Sequence, residues 1–253
     1  MDNMTQQSIS VQKPHYKDVL SLIGSVDVFS IFIFTLPFVV FLAFVHYRGS
    51  AGDFLYVDQL PQWVNGGYIF TRWIGMLAGV ACCREILLGN SHPNPFSMFF
   101  HPTTGRLLIY GFLALFVLGL VSAGVLQIFS IYSNIWLLYG LFIAISFPLG
   151  SWVLCRSFKF PLPEKWFISS YGLIPPLFIY GFILTVIYHL LFALVEMVLS
   201  EGYLYFYLDT LLSVWIFGVA LGCVQLKYFQ YFCYRNSEEE QTKTFPSKSE
   251  DNA

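Results

Sequence analysis

Apolar residues run along this chain in six long stretches, at 27–47, 64–83, 107–131, 136–155, 171–199 and 205–228, separated by short polar connections. Each reaches the length of about 20 apolar residues that an α-helix needs to cross the hydrocarbon core of a bilayer. Strands of a membrane barrel would read instead as segments of about ten residues with alternating polarity. The pattern therefore predicts an all-α fold: a polytopic integral membrane bundle of about six transmembrane helices. Residues 1–24 form a polar N-terminal segment, 25–235 the six-span transmembrane domain and 236–253 a disordered tail. The first residues lack the short apolar core of a cleaved signal peptide, so the first span is the expected targeting signal.

Charge placement adds an orientation. With six spans both termini share one side. That side holds Lys13, Lys17, Arg84, Arg106, Arg156, Lys159, Lys165, Lys227, Arg235, Lys243 and Lys248, and the opposite side holds Arg48. Basic residues in short loops resist translocation, so the basic side is expected to be cytoplasmic, giving an N-in/C-in topology. Cys82, Cys83, Cys155, Cys223 and Cys233 fall toward the same side, a reducing setting that predicts free thiols. The composition agrees: 57% of the 253 residues are hydrophobic and 11% charged, against about 25% charged in a soluble domain. An ordinary water-soluble enzyme is excluded.

Ionisable groups at membrane depth need partners, and they direct attention to a few positions. Arg72 lies about 12 Å into the second run by helical rise. Asp209 and Glu196 reach a similar level, so Arg72 is expected to pair with Asp209, Glu196 or both, as a structural ion pair or as the centre of an anion or headgroup site. His189 in the fifth run is a further buried ligand or relay candidate. At the inner face Asp27 opens the first run and Arg84 closes the second, making them candidates for a pair, with helix capping the other role open to Asp27. Cys82, Cys83, Glu85, His92 and His101 lie nearby, but without the ligand spacing of a metal site, so no metal is expected. Gly75 and Gly79 provide a Gly-x-x-x-Gly contact surface on the second run. Pro37 and Pro148 predict breaks or kinks. Two hairpins also read alike: Cys83-Arg84, Pro93-Asn94-Pro95 and Ile109-Tyr110-Gly111-Phe112, then Cys155-Arg156, Pro161-Leu162-Pro163 and Ile179-Tyr180-Gly181-Phe182.

The chain has no phosphate-cradling loop, no His-Glu-x-x-His and no Gly-x-Ser-x-Gly elbow. No basic, aromatic-interleaved surface points to nucleic acid. The expected function is therefore a non-enzymatic helical bundle that binds lipid or a protein partner. The alternative is a small transporter or permease-like subunit built around Arg72 and the outer carboxylates. A membrane enzyme using His189 or the inner Cys and His groups is the third reading. No cofactor is expected. The expected partners are the bilayer, anionic lipids at the cytoplasmic face, and a second copy or another membrane protein. The expected location is the plasma membrane, the inner membrane in a bacterium.

Overall fold

The computed structural model describes residues 13–48, 62–129, 135–163, 165–199 and 203–244, and it is helical throughout, without a strand among the described residues. The helices are α1 (Tyr16–Gly24), α2 (Val28–Phe34), α3 (Leu36–Arg48), α4 (Gln62–Leu87), α5 (Pro95–Phe99), α6 (Pro102–Phe129), α7 (Ile135–Phe158), α8 (Trp166–Ser169), α9 (Ile174–Val198), α10 (Tyr203–Ser213) and α11 (Leu221–Thr244). A 3-10 turn, Ser170–Leu173, leads into α9, and a π-helical turn, Val214–Ala220, joins α10 to α11. Among the described residues, four helical stretches are long and apolar enough to cross a membrane: Val28–Val45, Pro95–Val121, Trp166–Val198 and Leu204–Arg235. The run in α4 is less apolar because Asn65, Thr71 and Arg72 interrupt it.

The exposed surface is strongly apolar, as a membrane would allow. α9 buries none of its residues, and Met197 and Val198 are each 81% exposed. Phe178, Phe182 and Leu190 on α9 and Phe112, Phe116 and Leu120 on α6 also face outward. Soluble monomers rarely expose contiguous apolar patches beyond a few hundred Å². In hydrocarbon such faces carry no penalty.

The centre of the bundle is α4 packed against the π-helical turn and α11, and glycines let the backbones meet. A Cβ on Gly218 would come within 2.8 Å of Met76 Cα, and one on Gly222 within 2.9 Å of Val80 Cγ2. A Cβ on Gly79 would meet Val219 Cγ2 at 3.3 Å, and one on Gly75 would collide with the Phe34 carbonyl oxygen. Gly79 thus meets Gly218, the first glycine of a second Gly-x-x-x-Gly, while Gly75 meets Phe34 and Val214. The Phe34 carbonyl lies at a break between α2 and α3. There Pro37 supplies no N–H, Thr35 caps α2, and Phe38 N and Val39 N donate to the Thr35 carbonyl at 3.0 and 3.1 Å. α4 and α7 both end in Schellman turns. Asn90 N donates to the Glu85 carbonyl at 3.0 Å across Gly89 at φ 97°, and Phe160 N to the Cys155 carbonyl at 2.9 Å across Lys159 at φ 58°. The two similar hairpins diverge after these turns: Asn94 caps α5 with Pro95 at its first position, whereas the second leads into α8 and the 3-10 turn.

The first run is divided at Thr35 into α2 and α3, the break that Pro37 predicts. Two boundaries differ from the sequence expectation. The N-terminal segment is more than a polar lead-in: 16–24 is an amphipathic helix with a capping box between His15 and Asp18. Its Val19 is buried among Cys155, Val224 and Phe229, and its Leu22 among Ala81, Cys82 and Leu226. Nor does helix stop at Asn236; α11 continues to Thr244, and residues 245–253 of the predicted tail lie outside the described residues, as do residues 49–61. All five cysteines are free and buried. Cys83 and Cys223 sulfurs are 3.0 Å apart and those of Cys155 and Cys233 3.1 Å, joining α11 to α4 and to α7.

Candidate functional site

Tyr68 and Arg72 are one helical turn apart on α4, so their side chains share a face. That face meets Tyr188 of α9 and Asp209 of α10. Arg72 Nη1 donates to Asp209 Oδ2 at 2.8 Å and to the Tyr68 hydroxyl at 2.9 Å; Nη2 donates to Asp209 Oδ1 and to the Tyr188 hydroxyl, each at 3.3 Å. The two hydroxyls in turn donate to the carboxylate, Tyr68 to Oδ2 and Tyr188 to Oδ1. The result is a closed, charge-neutral ring of four side chains drawn from three helices. The Arg72 and Asp209 side chains are 18% and 11% exposed. Rings screen them: Phe38 packs edge-on against Tyr68 at 5.2 Å, and Phe192 stacks on Tyr188 at 5.7 Å. Both carboxylate oxygens are engaged and the guanidinium faces an equal and opposite charge. This geometry ties helices together and leaves no net charge for an anionic substrate.

The other sequence candidates lie elsewhere. Glu196 is exposed rather than buried, and it accepts from the Tyr205 hydroxyl at 3.0 Å instead of pairing with Arg72. His189 is likewise exposed, with its ring 5.3 Å from that of Tyr188. Axial position is the reason for the first: Glu196 lies eight residues, roughly 12 Å by helical rise, beyond Tyr188, which meets Arg72. Helix rotation is the reason for the second. The half-buried stripe of α9 runs through Leu177, Tyr180, Leu184, Tyr188 and Phe192. One residue further along, a side chain points about 100° away. Asp27 does not meet Arg84 among the described residues; it caps α2, its carboxylate accepting from Phe29 N at 3.2 Å. Arg84 pairs with its neighbour Glu85 at 2.7 Å and donates to the Phe158 carbonyl at 3.3 Å. Glu85 also faces His101 Nε2 at 3.4 Å, while His101 Nδ1 accepts from Thr103 N at 3.3 Å. Among the described residues no three His, Cys, Asp or Glu side chains converge as metal ligands would.

Tyr68 and Tyr188 are the members of the ring that sequence reasoning missed. The i, i+4 spacing from Arg72 was a usable signal for Tyr68. For Tyr188 the signal was its place on the i, i+4 stripe of α9.

A second feature lies beside α4. A half-open groove of about 560 Å³ separates it from α6 and α7. Trp73 and Leu77 of α4, Leu107 and Gly111 of α6, and Gly150 and Leu154 of α7 line it; Ser146 and Gln225 are the polar side chains on its wall. None of Arg72, Asp209, Thr71 or His189 reaches it. Gly66, Gly111 and Gly150 all border it, and a Cβ on any of them would meet nothing within 4 Å. These glycines therefore hold space open, whereas Gly75 and Gly218 bring backbones together. No model of a known protein family, no curated protein and no solved structure matches this chain.

Proposed function

We propose that this protein is a non-enzymatic, lipid-binding plasma-membrane protein of six spans with both termini cytoplasmic, and that its groove between α4, α6 and α7 accommodates an acyl chain. The observation that carries the reading is the groove itself: apolar, bordered by glycines and open on one side. Ligand pockets are mostly apolar with a few convergent polar groups, and the volume falls within the 300–1,000 Å³ of typical small-molecule sites. The closed Arg72 ring weighs against the transporter reading, which needs a polar cavity around that charge. The asymmetry of Lys and Arg supports the topology, and the short loops support the plasma-membrane placement.

Filling the groove tests the lipid reading. Gly111→Leu places a side chain into open space, so the bundle is expected to fold while co-purified lipid, counted by native mass spectrometry from detergent, falls from about one per chain to near zero. Unchanged lipid retention by a folded variant refutes the reading. For topology, Ser91→Cys exposes a thiol in the connection between α4 and α5, against a background of buried native cysteines. A membrane-impermeant maleimide is expected to label it only after cells are permeabilised; labelling of intact cells reverses the orientation.

A further inference from the structure

Arg106 sits one turn from the start of α6, an end of the helix that already carries partial positive charge, and no acid lies in the first turn to offset it. Its Nη2 donates to Thr103 Oγ1 at 3.2 Å. Its Nε is buried without a hydrogen-bond partner, and no carboxylate stands within ion-pair distance among the described residues. Arg84, whose charge reaches His101 as that of Arg106 does, also has a buried, unpartnered Nε. Ser157, next to the Phe158 carbonyl that Arg84 contacts, is fully buried with an unpartnered hydroxyl. Glu85 is the acid in contact with this group. With His101 accepting at Nδ1 and turning Nε2 toward Glu85, a neutral imidazole satisfies both contacts, and the cluster keeps one net positive charge. Buried donors without acceptors are costly and need an explanation.

The cluster lies beyond one end of the groove along the helices that line it. Leu107, which lines it, follows Arg106 directly; Val153 and Leu154, also on its wall, precede Ser157 by one helical turn on the same face of α7. Apolar lining and cationic donors are thus adjacent along the same helices. Both arginines lie at the basic end of their helices, where a headgroup would stand.

We propose that this end of the groove holds the phosphate of an anionic glycerophospholipid, with Arg106 as its charge partner and an acyl chain of the same molecule in the groove. The inference rests on the lipid-binding reading above and adds to it the headgroup class and the residue that selects it. A guanidinium hydrogen-bonded to a phosphate is among the stronger recognition pairs. The phosphate oxygens would accept from the outer guanidinium nitrogens of Arg106, beyond the hydrogen bond that Thr103 takes up.

The experiment uses the full-length protein in detergent with an equimolar mixture of phosphatidylglycerol and phosphatidylcholine, the retained lipid being read by native mass spectrometry. Wild type is expected to favour phosphatidylglycerol by about tenfold, the scale of one charge-assisted contact. Arg106→Gln is expected to keep one bound lipid and lose the preference, and Arg106→Lys to retain much of it. Equal retention of the two lipids by wild type, or an undiminished preference in folded Arg106→Gln, overturns the headgroup inference while leaving the groove reading standing. Lipid retention by folded Gly111→Leu equal to wild type overturns the groove reading itself. Release of phosphatidylglycerol by millimolar inorganic phosphate, with phosphate bound in its place, identifies a free-anion site and overturns the lipid assignment. A dimer in wild type that becomes monomeric in Gly111→Leu does so too, because a second copy then fills the groove.

Discussion

Arg72→Met is expected to destabilise the protein by about 3–5 kcal/mol, because it leaves the Asp209 carboxylate inside the bundle without its counter-charge. In a chain of this size that corresponds to a fall of roughly 6–20 °C in the unfolding midpoint. The double variant Arg72→Met/Asp209→Leu is expected to recover most of the loss, since a buried pair replaced by apolar side chains of similar volume is often close to neutral. The recovery separates an ion pair that ties α4 to α10 from two independent contributions. Unfolding midpoints in detergent for wild type, both single variants and the double variant form the cycle. Additive losses would contradict the ring geometry, in which Arg72 Nη1 and Asp209 Oδ2 are 2.8 Å apart. The tyrosines give the cycle its asymmetry: in Arg72→Met they still donate to the carboxylate, whereas in Asp209→Leu the guanidinium keeps only their oxygens. Asp209→Leu alone is therefore expected to be the worse single change.

The second large effect concerns the central helix pair. Gly75→Ala drives a methyl group into the Phe34 carbonyl, and Gly218→Ala places one 2.8 Å from Met76 Cα. Both obstacles are backbone, which cannot swing aside as a side chain tip can. Each change is expected to cost at the upper end of the about 1–3 kcal/mol typical of overpacking, and together they are expected to abolish recovery of folded protein. Gly119→Ala is the control. A Cβ there meets nothing within 4 Å, and alanine favours the helix by about 1 kcal/mol over glycine in water. Monodisperse yield by size exclusion distinguishes the variants. Equal yields from Gly218→Ala and Gly119→Ala would show that α4 and the π-helical turn are not in backbone contact.

The glycines illustrate what a sequence can and cannot disclose. Gly75 and Gly79 stand out by spacing, and so in retrospect do Gly218 and Gly222. The groove glycines Gly66, Gly111 and Gly150 have no such spacing. What stands opposite a glycine is a property of other parts of the chain, and spacing alone does not disclose it. The carboxylates teach the same lesson. Asp209 meets Arg72, whereas Glu196 lies eight residues beyond Tyr188, roughly 12 Å along α9 by helical rise, and meets Tyr205 instead. How far a helix slides along its neighbours, and how it is rotated about its axis, depend on packing. His189 was singled out because it is ionisable in an apolar run, whereas its neighbour Tyr188 carries the contact. α1 was legible in principle, since Val19, Leu22 and Ile23 keep helical spacing, but in so apolar a chain a short amphipathic segment is outweighed by the runs that follow.

By itself the sequence determined that the chain is helical and built from apolar runs, because each peptide group in hydrocarbon must find its hydrogen bond within its own segment and the length of an apolar run is counted directly along the chain. It also picked out Arg72 as a charge needing compensation. Only the tertiary structure decided that Asp209 supplies it, that Tyr68 and Tyr188 complete the ring, that α4 lies against the π-helical turn, and that a groove opens beside it. Those outcomes depend on how helices distant in sequence rotate and approach one another, and side-chain packing and close backbone contact set that in three dimensions.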